Sequence, residues 1–95
     1  MKLGRIVGSV VSTRKDPSLE SLKLMIVENI STSLEREGGY VVAVDSVGAG
    51  VGEVVLYATG SSARLTTATK DRPVDAVIMG IVDSFDLEGR TVRLA

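Results

Sequence analysis

The chain has no cysteine and no histidine. That removes disulfides, thiolate nucleophiles, imidazole bases and every zinc site built on those two ligands. Aromatic side chains are nearly absent too: Tyr40, Tyr57 and Phe85 are all there are, too few for the stacking platforms along which single-stranded nucleic acid is held. Neither sign of charge dominates. Eleven Lys and Arg stand against twelve Asp and Glu, a formal charge of −1, which leaves no positive field to gather a polyanion or an anionic membrane. Nucleic acid and membrane are therefore not expected as partners. No apolar run approaches the ~18 residues of a spanning helix. Met1-Lys2-Leu3-Gly4-Arg5 carries no apolar stretch before its second charge. With no leader pattern the chain is read as cytosolic, and the Asn29-Ile30-Ser31 glycosylation sequon as a chance match.

What is present is aliphatic. Hydrophobic residues make up 44% of the 95 positions, mostly Val, Ile, Leu and Ala, a composition that favours strands over helices. A chain of this length forms one domain, residues 1–95, and buries roughly 64% of its extended surface, a marginal core. Lys2 to Arg14 is a β-branched run broken by Gly4 and Gly8, read as a bent strand whose glycines mark a bulge or a close backbone approach. Asp16-Pro17 then caps a single helical turn at most. Further strands are predicted over Leu22–Asn29, Tyr40–Asp45, Glu53–Ala58, Val74–Phe85 and Thr91–Leu94. Ser31–Gly39 reads as a polar loop, Gly60–Arg64 as a short helix with a serine cap, and Leu87–Arg90 as a turn. Five or six strands with one short helix predict an all-β fold, a small barrel.

Few groups here could do chemistry. Gly48-Ala49-Gly50-Val51-Gly52 follows a strand, as the phosphate-binding turn of a dinucleotide fold would. A strand, not a helix, comes next, and Glu53 stands where the third glycine belongs. A permissive turn is the simpler reading; a small-ligand or phosphate binder using this loop stays as an alternative, as does an oligonucleotide-binding module on the barrel. Asp45, Glu53, Asp75, Asp83 and Asp86 supply carboxylates, but with no histidine beside them they read as solvated or ion-paired groups. Ser61-Ser62 has no base to activate it. No catalytic residue, cofactor or metal ligand is assigned, and the chain is not expected to be an enzyme.

The order of motifs is more specific than any one of them. GRIVGSVVSTRKDPSLESLKL, VAVDSVGAGVGEVVLYATGSSAR and KDRPVDAVIMGIVD together closely resemble the bacterial microcompartment vertex proteins, the EutN/CcmL family, along nearly the whole chain. The resemblance implies a five-stranded β-barrel of oligonucleotide-binding type, assembled as a cyclic pentamer at the vertices of a polyhedral, carboxysome-like shell. Its partners would be copies of itself and hexameric shell proteins, whose flat sheets it would curve. It further implies that Gly48, Ala49 and Gly50 lie near the fivefold axis, where small side chains let five loops converge. Arg64 is the candidate intersubunit partner of a carboxylate, Glu53 or Asp83. Apolar residues on the outside of the barrel would form the two unlike patches that a head-to-tail ring requires.

Overall fold

Gly4 decides how tightly the first strand lies on its neighbours. In the computed structural model, which describes residues 1–94, a Cβ at Gly4 would stand 2.3 Å from Cγ1 of Val27 and 3.1 Å from Cε1 of Tyr57. Only a glycine backbone fits against those interior side chains. The strand, β1 (Lys2–Val10), pairs antiparallel with β2 (Leu24–Ile30), and their register slips between Ile6 and Gly8. That bulge supplies the bend expected of the two glycines. With β3 (Arg36–Asp45), β4 (Val54–Thr59) and β5 (Ala76–Ile81) they close a barrel in the order β1-β2-β3-β5-β4. Every pairing is antiparallel except the short β3–β5 contact, Val44 with Val77 and Asp45 with Ile78. Closure removes the free sheet edges that a small open sheet would expose.

The strands are apolar on both faces because there are two clusters to bury. Ile6, Met25, Val27, Ala43, Val55, Tyr57 and Ile78 fill the barrel interior. Val44, Ala58 and Val77 point outward and are covered within the chain by Ala63 and Val74, with Leu19, Leu22 and Leu24 at the margin. Part of the outer apolar surface that the sequence suggested for subunit contacts is thus already used. Tyr40, Val42, Leu56 and Met79 remain exposed.

Several boundaries differ from expectation. The turn expected after Asp16 and the short helix expected over Gly60–Arg64 are both 3-10 helices, Pro17–Leu19 and Gly60–Arg64. Asp16 caps the first as predicted, accepting from the Ser18 hydroxyl at 2.6 Å and amide at 2.9 Å, and those bonds hold its carboxyl below the usual value. The second has no side-chain cap. The Ser62 hydroxyl donates instead to the Thr59 carbonyl at 2.8 Å, because so short a helix turns its serines back over its own start. The loop expected over Ser31–Gly39 shrinks to a turn closed by Ser31, whose hydroxyl accepts the amides of Ser33 and Glu35, both at 3.2 Å. β3 therefore begins at Arg36, opposite Ile30. The long run Val74–Phe85 divides: β5 stops at Ile81, and β6 (Ser84–Leu87) pairs with β7 (Arg90–Arg93) as a separate hairpin.

Candidate functional site

Asp45 organises the glycine loop. It ends β3 with its side chain only 2% exposed, and its Oδ1 accepts three successive amides: Val47 at 3.0 Å, Gly48 at 3.1 Å and Ala49 at 3.2 Å. An aspartate collecting amides two to four residues ahead is an extended form of the Asx turn. Lys23 Nζ neutralises the other oxygen at 3.8 Å and donates to the Ala49 carbonyl at 3.4 Å. Glu53 closes the far side, its Oε1 accepting the Gly50 amide at 2.6 Å. Ile6 then ties the loop to β1: it accepts from the Gly52 amide at 2.8 Å and donates to the Glu53 carbonyl at 3.0 Å.

The loop needs its glycines unequally. Gly48 and Gly52 sit at φ of +78° and +93°, where an L side chain is strained, whereas Gly50 does not. Gly48 is exposed and Gly50 half-buried, but Ala49 is wholly buried and belongs to the interior cluster. Its methyl is the stopper at this end of the barrel. Of the three residues expected near an axis, Ala49 thus turns its side chain inward, and only its backbone is available to a neighbour.

The phosphate reading fails on hydrogen-bond accounting. A phosphate cradle needs unpartnered amides aimed at the anion, whereas here the amides of residues 47, 48, 49, 50, 52 and 53 all donate within the chain. Three of the five carboxylates weighed for catalysis are similarly occupied. Asp45 and Glu53 hold the loop, and Asp86 accepts the Thr91 hydroxyl at 2.6 Å. Among the described residues no group of three or more acidic side chains could hold a metal ion.

Arg64 and its expected partners do not meet within one chain. Glu53 precedes β4 and Arg64 follows it in the 3-10 helix, so the six-residue strand separates them by about 20 Å. Asp83 follows β5, which runs antiparallel to β4, and so lies at the Glu53 end. The cation and both carboxylates therefore occupy opposite ends of the β4–β5 pair. Among the described residues Arg64 reaches only the Val74 carbonyl, at 3.4 Å.

Two polar pairs escaped the sequence reading. Glu28, only 4% exposed, shares the Arg36 Nε–H between its two oxygens, both at 2.9 Å, and that bond raises the guanidinium above its ordinary value. Tyr57, inside the barrel, donates to Asn29 Oδ1. The Asp-Ser-Val-Gly spacing could have signalled the Asp45 turn; the Glu28–Arg36 pair had no local sign, since it depends on the β2–β3 register.

The family described as ethanolamine utilisation protein EutN/carboxysome matches residues 1–83. The chain is 48% identical to the bacterial microcompartment shell vertex protein PduN of Salmonella typhimurium, over 90% of this chain and 98% of that one. Among solved structures it is similar to CcmL of Nostoc sp., at TM-score 0.95 and 40% identity over the whole of both chains. It is also similar to the GrpN pentameric microcompartment shell protein from Rhodospirillum rubrum, at TM-score 0.83 and 42% identity over 92% of this chain and 99% of that one. A barrel without an arranged nucleophile, whose Asp45 and Glu53 carboxylates hold its own loop backbone, fits that company: the chain belongs to the EutN/CcmL family of bacterial microcompartment shell vertex proteins.

Proposed function

We propose that this chain assembles as a homopentamer that closes the vertices of a microcompartment shell in the bacterial cytoplasm, with its outer edges against hexameric shell proteins. The observation that carries this reading is the likeness to the pentameric GrpN over nearly the whole of both chains. Its work is geometric. A flat hexagonal sheet closes into a polyhedron only where some positions have fivefold symmetry.

The polar groups fit a head-to-tail ring. Such a ring needs two unlike, complementary ends on each subunit, and Arg64 at one end of the β4–β5 pair with Glu53 and Asp83 at the other supplies a charge of each sign. Arg64 of one copy pairs with a carboxylate of the next. Gly48 and Gly50 line the axis, and Asp45 presets the path of their backbone before subunits meet. Any axial opening is narrow.

Co-expression with a hexamer-forming shell protein tests the vertex role. The account expects closed polyhedral particles with this chain and open sheets or tubes without it. Closed particles of equal number in its absence would contradict the proposal.

A further inference from the structure

The hairpin β6–β7 has an apolar face that its own chain covers only in part: Phe85 and Val92 are half-buried and Leu87 is exposed. Phe85 pairs with Val92 and Leu87 with Arg90, and because side chains alternate along a strand, Phe85, Leu87 and Val92 share one face, with Arg90 at its turn end. Ser84, Asp86, Thr91 and Arg93 take the other. Such alternation marks a sheet with one face against an apolar surface. Yet among the described residues no hairpin side chain joins either apolar cluster, and neither strand makes more than marginal contact with any other element. Leu87 is 41% exposed.

The hairpin forms a sheet of its own, apart from the barrel. The molecule is 46 Å long and only 23 by 21 Å across. Its radius of gyration of 13.7 Å exceeds the ~12.4 Å of a compact chain this length. A lone two-stranded hairpin is marginal in water at best, so this one needs a surface to lie on. It does not belong to the segment by which the family is matched, which ends at Asp83, but the likeness to Nostoc CcmL runs through it.

The base of the hairpin points to what that surface is. Val82 donates its amide to the Val54 carbonyl, and Leu94 donates to the carbonyl of Asp83, both at 2.8 Å. The arm thus leaves the barrel beside Glu53 and Asp83, the end assigned above to contact with the next subunit, and continues that face outward. In a cyclic ring each copy stands in the same relation to the next, so an arm reaching past its own barrel at that end meets the same neighbour in every copy. We propose that β6–β7 is an intersubunit arm whose Phe85–Leu87–Val92 face docks on the barrel of the adjacent copy of this chain. This inference rests on the ring reading.

The absence of cysteine allows a direct test. Leu87→Cys carrying a benzophenone, itself apolar, is illuminated in the purified full chain with no other protein present, and native mass is recorded on the same sample. A docked arm gives a ladder of covalent oligomers on a denaturing gel. A ring by native mass with adducts of single-chain mass alone would overturn the arm and leave the ring standing, whereas a monomer by native mass would overturn both. In parallel, Phe85→Asp with Val92→Asp is compared with Ser84→Asp plus Arg93→Ser, which changes the charge by the same amount on the polar face. The first pair is expected to raise the concentration at which the ring dissociates tenfold or more and the second to leave it near wild type. Equal effects would contradict the proposal.

Discussion

Asp45 and Ala49 hold the glycine loop from opposite sides: the Asp45 carboxylate accepts the Ala49 amide at 3.2 Å, while the Ala49 methyl is buried in the barrel. The backbone between them is fixed from inside the subunit. Gly48 can therefore keep its left-handed conformation with no help from a neighbour.

Removing the acceptor tests that arrangement. Asp45→Ala strands three loop amides and should cost about 1–3 kcal/mol. Asp45→Asn, which keeps an oxygen in place, should lose less. Thermal unfolding at one fixed protein concentration reads the difference; an alanine variant as stable as wild type would mean the loop does not depend on these bonds.

Gly4 offers a steric counterpart. A methyl there would stand 2.3 Å from Val27 Cγ1, so Gly4→Ala should destabilise by about 1–3 kcal/mol through overpacking. Adding Val27→Ala makes room for that methyl. The double variant should then be more stable than the sum of the two single losses implies, and strict additivity in urea unfolding would argue against the contact.

How far the fold was legible follows from where its contacts lie. The bend in β1, the Asp16 cap and the positive-φ loop each have local causes, written in Gly4, Gly8, Asp16-Pro17 and Gly48. The start of β3 at Arg36 was hidden, because that polar stretch is a strand through its register with β2 and the Glu28–Arg36 bonds. The break after Ile81 was hidden as well: Val82 continues the β-branched run, and only the pairing of Phe85 with Val92 separates hairpin from barrel. For the site, the glycine loop was recognised but the inward turn of Ala49 was not, since burial of one methyl depends on the closed barrel.

Tyr57 gives the chain an alkaline limit. It is 1% exposed, and burial raises its phenol above the ordinary value. The folded state then holds the proton more tightly than the unfolded chain, so this contribution is complete below about pH 10 and is lost as pH rises from there through the folded value. Urea unfolding at a series of pH values should show stability falling across that window. Tyr57→Phe, which has no phenol to ionise, should fall less steeply, and parallel curves would remove Tyr57 as the cause.

Arg64 should matter only between subunits, since within its own chain it reaches one carbonyl at 3.4 Å. Arg64→Ala is expected to weaken the ring by about 2–5 kcal/mol, the usual cost of truncating one partner of a buried interfacial ion pair. The variant should dissociate on dilution with its circular dichroism unchanged. A ring that persists at wild-type dilution would remove Arg64 from the interface.

The central claim is that this barrel works as a closed ring, and the native mass of the purified full-length chain tests it most directly. With a chain of 10.0 kDa, the account predicts a single species of about 50 kDa, five copies in cyclic symmetry. A stable species at the mass of one chain across micromolar concentrations would contradict it.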